Sequence, residues 1–510
     1  MDDFITLVPK KYTVKKRLNI IKENEIVFRH GHIAITNYRM GDNTEFEKSL
    51  STWDRVAFRY HLIGGYYVKE LREFRINRGY DTKLLSQFFP HHKARVDNDA
   101  YPADKIQVEL YTPPRSDIQT VALSFMASQG EYKRNAKYTQ QIINMDTGEG
   151  KSWCGVASTA FLSARTVIIV PFSKLLEQWR GSYINFTSVS DDEILIVKGR
   201  NVCRKILDGK YKDVKVFIFM IDTLTSFQKT YGNMETIELL RATNAYTKIV
   251  DEVHRDMKAI SMVEALSNFR MNYYMSASAG RSERKENWMF NTLFRNVPRF
   301  GQAFKTQDEK HINVMIKRYT FIPNNQQIRS MVSPRVGLNS RLYEKELVSA
   351  PPFQRKSFDD SMRVMLKWSK GLLKDGNKIL ILANTIAFIT YIKEIAEEFF
   401  PGDVSLYHGS LKPAEKEKAL KSTVICATSS SLGTGADIKG IQHVYNCATY
   451  ANWIDATQLP GRARKLDDPT VQVVYCELVN FGYQKTYRQY EKRRPFLINK
   501  SKTGKLMIVS

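Results

Sequence analysis

At 510 residues the chain exceeds what one hydrophobic core organises, so two or three domains are expected. Apolar residues make up 43% and charged residues 25%, with no Gly/Ser, Gln/Asn or Pro-rich tract, which excludes a disordered or fibrous chain. Lys and Arg outnumber Asp and Glu by 77 to 53, a formal charge of +24; such an excess draws a polyanion by releasing its condensed counterions, favouring nucleic acid as partner over the blander reading of a soluble basic protein. Cys154, Cys203, Cys426, Cys447 and Cys476 form no C-x-x-C pair, so neither a zinc site nor a disulfide framework is indicated and a reducing, cytosol-like compartment fits. No leader-like apolar core opens the chain and no run approaches about 18 apolar residues, so a protein neither secreted nor membrane-spanning is expected.

Residues 1–110 are dense in aromatics and arginines and lack strand–helix alternation, which marks a separate accessory module. Its clustered Trp53, Phe58, Tyr60, Tyr66 and Tyr67 either pack inside that module, the commoner fate, or stack on bases. From about Tyr138, short apolar runs recur between amphipathic stretches, the signature of parallel sheets with helical crossovers. The runs are Thr166–Pro171, Val214–Ile221, Thr247–Glu252 and Asn272–Ser278, then, beyond a mixed polar stretch with four prolines over Ile322–Lys356, Lys378–Ala383, Val404–Tyr407, Val424–Thr428, His443–Ala448 and Val471–Leu478. A helix is expected over Ile386–Phe400, stopped by Pro401-Gly402. The division this predicts is an accessory domain over 1–110, an α/β domain over 111–330, a linker over 331–360 and a second α/β domain over 361–510.

Three patterns carry chemistry. Met145-Asp-Thr147-Gly148-Glu149-Gly150-Lys151-Ser152 follows a strand candidate and precedes a helical stretch, the setting in which a glycine loop wraps phosphate oxygens with its amides. Lys151 would neutralise the β/γ phosphates of ATP, Ser152 would offer a hydroxyl to Mg²⁺, and the glycines admit close backbone approach; the alternative is a turn that happens to hold Gly-Lys-Ser. Lys248-Ile-Val-Asp251-Glu252-Val-His254 puts two carboxylates at the end of a strand, where Asp251 can hold Mg²⁺ and Glu252 can orient the attacking water; alone, such a pair is more often a solvated turn. Gln458-Leu-Pro-Gly-Arg462-Ala-Arg464-Lys465 offers guanidinium groups suited to a transferring phosphoryl group, or else is a basic turn on a basic surface.

In this order the patterns resemble the superfamily 2 helicases of the DExH type, and the blocks between them fit the same family. Arg115-Ser-Asp-Ile-Gln119 looks like the Q motif, whose glutamine reads the adenine. Val-Pro171-Phe-Ser-Lys174 through Trp179 looks like motif Ia, and Ile221-Asp-Thr223 resembles motif Ib, both of which contact the nucleic-acid backbone in the family, as motifs IV, IVa and V would from the second domain. Asp251-Glu252-Val-His254 is similar to motif II, and Ser276-Ala-Ser278-Ala-Gly-Arg281 to motif III, where a hydroxyl pair couples hydrolysis to nucleic acid. Asn384-Thr385 looks like motif IV, Tyr407-His408-Gly409 like motif IVa, and Thr428 through Gly435-Ala-Asp437 like motif V, with Asp437 at the ribose and Thr428 at a backbone phosphate. Departures are Met145 for the loop's first glycine, Ser-Ala-Ser without the usual proline, and Lys465 at the last arginine of motif VI, which leaves the second finger to Arg464 or Lys465.

The block spacing most resembles the viral and phage branch near the recombination helicase UvsW and the XPB-type translocases. The resemblance implies an α/β fold of two tandem RecA-like domains with parallel sheets and a nucleotide cleft between them, plus the N-terminal accessory domain. It implies a nucleic-acid-dependent ATPase using ATP and Mg²⁺, moving as a monomer on forked, branched or duplex DNA in a cell's cytoplasm, the host's if the protein is viral. An RNA-remodelling enzyme and a catalytically inactive nucleic-acid-binding scaffold remain the alternatives.

Overall fold

The computed structural model describes residues 25–54, 58–145, 149–253, 256–276, 284–301, 311–333, 337–432, 438–449, 459–463, 466, 468 and 470–509. The chain divides into two compact units, Met1–Ala303 and Phe304–Ser510.

The first unit is built on a seven-stranded sheet in the order Ile194–Val197, Val216–Met220, Thr166–Val170, Thr247–Asp251, Met271–Ser276, Gln140–Asn144, Arg299–Phe300, with its neighbouring strands parallel. Its central strands are buried along their whole length, which is why they read as near-continuous apolar runs. One face packs on Trp179, Tyr183 and the helix Lys151–Leu162. The other packs on the helix Met257–Leu266 and, beyond it, on the N-terminal region.

That region forms its own mixed sheet, Tyr66–Val68, Glu73–Asn77, His32–Ile35, Glu25–Phe28, Lys93–Val96, antiparallel except for the last pair. Its Ile26, Ile33, Phe46 and Phe74 share one continuous core with Val167, Phe219 and Val250 of the parallel sheet. A buried polar seam ties the layers. Lys248 Nζ donates to Glu264 Oε1 at 2.6 Å, Tyr274 Oη donates to Glu264 Oε2 at 2.6 Å, and Gln140 Nε2 reaches both Tyr274 Oη at 2.9 Å and the Gly31 carbonyl at 3.1 Å. Arg75 adds a 2.7 Å bond to the Ala265 carbonyl. The accessory sheet is thus distinct in topology yet inseparable in packing from the first parallel sheet.

The second unit repeats the architecture with Val404–Tyr407, Val424–Thr428, Lys378–Ala383, Ile441–Asn446, Val473–Asn480, Ile312–Tyr319, Met507–Val509, again all parallel. Ile312–Tyr319, expected in the first α/β domain, pairs with Val473–Asn480 along eight residues, so this unit begins ahead of the linker read from the prolines. The stretch read as a linker folds onto the unit: helix Ser340–Ser349, capped by Asn339, buries Tyr343, Glu344 and Leu347, and Pro352 opens the helix Pro352–Leu372. The helix Ile386–Glu397 is capped by Thr385, whose hydroxyl accepts from Phe388 N, and ends before Pro401-Gly402 as its pattern demands. Among the described residues no helix is long and apolar enough to cross a membrane. All five cysteines are free and buried, with burial holding the thiols of Cys154, Cys203, Cys426 and Cys476 up at about 12.

Candidate nucleotide and nucleic-acid site

Three neighbouring strands of the first unit end side by side. Asn144 is in register with Ser276, and Asp251 with Met275, so the glycine-lysine loop, the carboxylate pair and the Ser276 end of motif III meet at one sheet edge. In open α/β sheets this carboxyl edge is where ligands bind.

From Gln140–Asn144 the chain enters the loop at Met145, whose N donates to the Ser276 carbonyl at 3.2 Å. Met145 is 1% exposed and lies 3.8 Å, sulfur to sulfur, from Cys154 on the following helix. The residue that departs from the glycine pattern therefore packs into the core. Gly150 starts the helix in the left-handed region, φ 91° and ψ 34°, and a Cβ there would lie 1.8 Å from Gln119 Nε2. Only glycine satisfies both the dihedral and the approach. Gln119 is buried; its Nε2 donates to the Glu149 carbonyl at 3.1 Å, and its Oε1 accepts from Arg115 N at 2.8 Å, so it braces the loop. Lys151 Nζ donates to the Met145 carbonyl at 2.8 Å, folding the ammonium across the loop, and Ser152 follows half-buried in the helix's first turn. Thr147 and Gly148 lie outside the described residues.

Asp251 closes its strand nearly buried. Its Oδ2 accepts from Trp179 Nε1 at 2.9 Å and its Oδ1 from Glu252 N at 2.9 Å. Burial pushes its carboxyl upward, while the Trp179 bond and the Lys151 charge pull it back toward the ionised form. A buried carboxylate under that tension fits a cation. Among the described residues no group of three or more His, Cys, Asp or Glu is placed to hold a metal, so a cation at Asp251 and Ser152 would need nucleotide phosphates to complete its shell, as Mg²⁺ commonly does. Glu252 takes φ 51°, a left-handed conformation uncommon for a non-glycine residue, turning the chain sharply after Asp251. His254, Ser278 and Arg281 lie outside the described residues.

Among the residues expected at nucleic acid, Pro171 follows the strand Thr166–Val170 half-buried and Lys174 is exposed in the first turn of the helix Ser173–Phe186. Thr223 is buried, its hydroxyl accepting from Gly199 N at 3.2 Å, so it fixes the neighbouring loop. In the second unit, motifs IV, IVa and V are stitched together. Ser429 Oγ donates to Asn384 Oδ1 at 3.0 Å, Thr428 Oγ1 donates to Ser431 Oγ at 2.9 Å, and Ser431 Oγ reaches the Tyr407 carbonyl at 3.1 Å, with half-buried His408 next in the chain. Beneath them Glu344, fully buried, accepts from Asn384 N at 2.9 Å, Asn384 Nδ2 at 2.8 Å and Thr385 Oγ1 at 2.9 Å. Burial raises the Glu344 carboxyl to about 7, against the lowering effect of the bonds from Asn384 and Thr385. Arg462 sits in a half-buried turn, Pro460–Arg462, anchored by buried Leu459 and Ala463, and His311 Nε2 bonds the Ala463 carbonyl at 2.9 Å. Gln458, Gly435, Asp437, Arg464 and Lys465 lie outside the described residues. Trp179 and Glu344 are positioning residues that spacing did not single out; Trp179 stands inside the motif Ia stretch, and Glu344 is a carboxylate on the buried face of a helix.

Residues 113–280 match the family described as type III restriction enzyme, res subunit, and residues 362–466 match the helicase conserved C-terminal domain. The chain is 22% identical over 365 residues to the transcript termination protein A18 of fowlpox virus (strain NVSL), covering 69% of this chain and 72% of that protein. The structure of the ATP-dependent type ISP restriction-modification enzyme LlaBIII bound to DNA aligns with TM-score 0.52 at 16% identity, over 78% of this chain and 31% of that one. The crystal structure of T4 UvsW aligns over 96% of this chain and 99% of that one, at 13% identity and TM-score 0.36.

Proposed function

We propose that the chain, which belongs to the superfamily 2 helicases, is a nucleic-acid-dependent ATPase working as an ATP-dependent DNA helicase or translocase, acting in viral replication, recombination or repair in the host cytoplasm. One observation carries the reading: Gly150, Lys151, Asp251 and Glu252 converge at the carboxyl edge of three adjacent parallel strands, where a nucleoside triphosphate fits. Bound with Mg²⁺, ATP would supply the phosphoanhydride whose cleavage drives the cycle. Lys151 would balance charge on the β/γ phosphates, and Ser152 and Asp251 would hold the cation. Glu252 would orient the attacking water, and Arg462 and Arg464 would be the guanidinium groups suited to charge on a transferring phosphoryl group. Lys174, Asn384, His408 and Thr428 grip phosphates, so sequence preference is weak and affinity falls steeply with salt. The +24 charge supports a polyanionic track.

RNA is the second reading, favoured by the name of the fowlpox relative, a transcript termination protein. ATP hydrolysis by the wild type and by Lys151→Ala, each alone and with single-stranded, forked or duplex DNA or with RNA at two salt concentrations, separates the two. Stimulation by DNA that vanishes in the variant is expected. Stimulation by RNA alone moves the assignment to RNA, and binding without turnover leaves a scaffold.

A further inference from the structure

Between Phe46 and Tyr66 the accessory region sends out a two-stranded hairpin, Ser51–Asp54 against Arg59–Leu62, that pairs with no other strand among the described residues. Its base is fixed. The Leu50 carbonyl accepts from both Ile63 N and Gly64 N at 2.9 Å, Ser51 Oγ donates to the Glu47 carbonyl at 2.6 Å, and Ser261 Oγ donates to the Ile63 carbonyl at 2.8 Å. A Cβ at Gly64 would stand 2.6 Å from Met289 Sδ, so the chain leaves the core through a fitted gap. Ser261 belongs to the helix Met257–Leu266, which begins six residues after Asp251.

Above that base the apolar pattern inverts. Trp53 is 47% exposed, Phe58 69% and Tyr60 51%, whereas Phe46, Phe74 and Tyr80 of the same region are fully buried. Trp53 and Tyr60 are direct cross-strand partners with ring centroids 5.1 Å apart in an edge-to-face pair. Phe58 holds its ring out from a left-handed backbone, φ 49°, which a bulky side chain adopts only against a local cost. Such exposed ring area on a charged, soluble chain marks a contact surface.

The chemistry around the rings identifies the occupant. Among the described residues beside the rings, Arg59 is exposed, its Nε 3.2 Å from His61 Nε2. Aromatic faces beside a guanidinium group suit unpaired bases on an anionic backbone, since every base offers a π face and a phosphate takes the arginine. A duplex hides its faces by stacking. A strand pinned at its base also loses little freedom when a base stacks on it.

We infer that the paired strands Ser51–Asp54 and Arg59–Leu62, with Phe58, are a base-stacking platform that holds an unpaired DNA strand, carried as a fixed extension of the first parallel sheet. The choice of DNA rests on the proposed function; the stacking itself does not.

The test uses the full chain without nucleotide, measuring affinity for oligo(dT), for oligo(U) and for a blunt duplex by fluorescence anisotropy. Trp53→Ala/Phe58→Ala/Tyr60→Ala is expected to weaken oligo(dT) binding by at least about tenfold, given about 1–3 kcal/mol per stacked base, with the duplex affected less than about twofold. Trp53→Phe/Tyr60→Phe, which keeps the rings, should stay within about threefold of the wild type. A reading independent of the alanine variant's folding comes from emission of the wild type minus that of Trp53→Phe, which oligo(dT) should quench and duplex should not. Unchanged oligo(dT) affinity would mean that the rings serve another partner, and equal loss on duplex would mean a general electrostatic effect; either overturns the platform. Ring-dependent binding confined to oligo(U) overturns the choice of DNA. ATP turnover is scored separately: a wild type without DNA-stimulated hydrolysis whose rings still govern oligo(dT) binding refutes the motor and keeps the platform.

Discussion

Glu344 makes the second unit's stability depend on pH in an unusual direction. Its carboxyl is buried beneath the motif IV turn and raised from 4.5 to about 7, with burial as the leading cause and the donated bonds from Asn384 and Thr385 opposing it. A carboxyl whose folded pKa exceeds its unfolded value favours the folded state when protonated. Its contribution is therefore fully present below about 4.5 and is lost as pH rises through about 7. The displacement corresponds to about 3 kcal/mol between those limits. Glu344→Gln removes the titration while keeping the shape: the amide oxygen still accepts from Asn384, and its NH₂ can donate to the Thr385 hydroxyl, at a cost that does not vary with pH. Urea unfolding of both proteins at intervals from pH 4.5 to 8 should show the variant gaining on the wild type by about 3 kcal/mol across the range. A difference that stays level across that range would refute the reasoning.

Gly150→Ala places a methyl in a left-handed position that costs about 1–2 kcal/mol and 1.8 Å from Gln119 Nε2, so binding of a fluorescent ATP analogue should weaken by roughly tenfold or more; adding Gln119→Ala should recover the steric share and leave the dihedral share. Lys248→Met strands the Glu264 carboxylate in the seam and should cost about 3–5 kcal/mol in chemical unfolding, whereas Lys248→Met/Glu264→Gln should cost clearly less; equal losses would show that the pair is not coupled.

Much of the fold was legible because strands buried on both faces are continuous apolar runs. Lys378–Ala383, Val404–Tyr407 and Val424–Thr428 fall where the sequence places them. The run at His443–Ala448 is displaced to Ile441–Asn446 because Cys447 and Ala448 are equally apolar and buried but lie past the last ladder pair. Ile312–Tyr319 escaped notice because Lys317 and Arg318 interrupt its apolar pattern, and Lys317 is buried nonetheless. Prolines over Ile322–Lys356 suggested a linker, yet Pro352 only starts a helix. Local patterns pointed to Lys151 and Asp251. They could not reveal that Trp179 holds Asp251 across 72 residues, or that Glu344 holds Asn384 across 40, since such partners are set by tertiary packing alone.

The seam of Lys248, Glu264, Tyr274 and Gln140 bears on how the chain can be dissected. A cut near residue 110 would strip the cover from the helix Met257–Leu266, wet the Lys248–Glu264 pair and deprive Gln140 of the Gly31 carbonyl. The fragment beginning at residue 111 would carry an open apolar wound on the sheet that bears its own nucleotide loop, and its insolubility would say nothing about whether the N-terminal region takes part in turnover. Point changes on the exposed hairpin can separate that region's role in binding from its role in folding; truncation cannot.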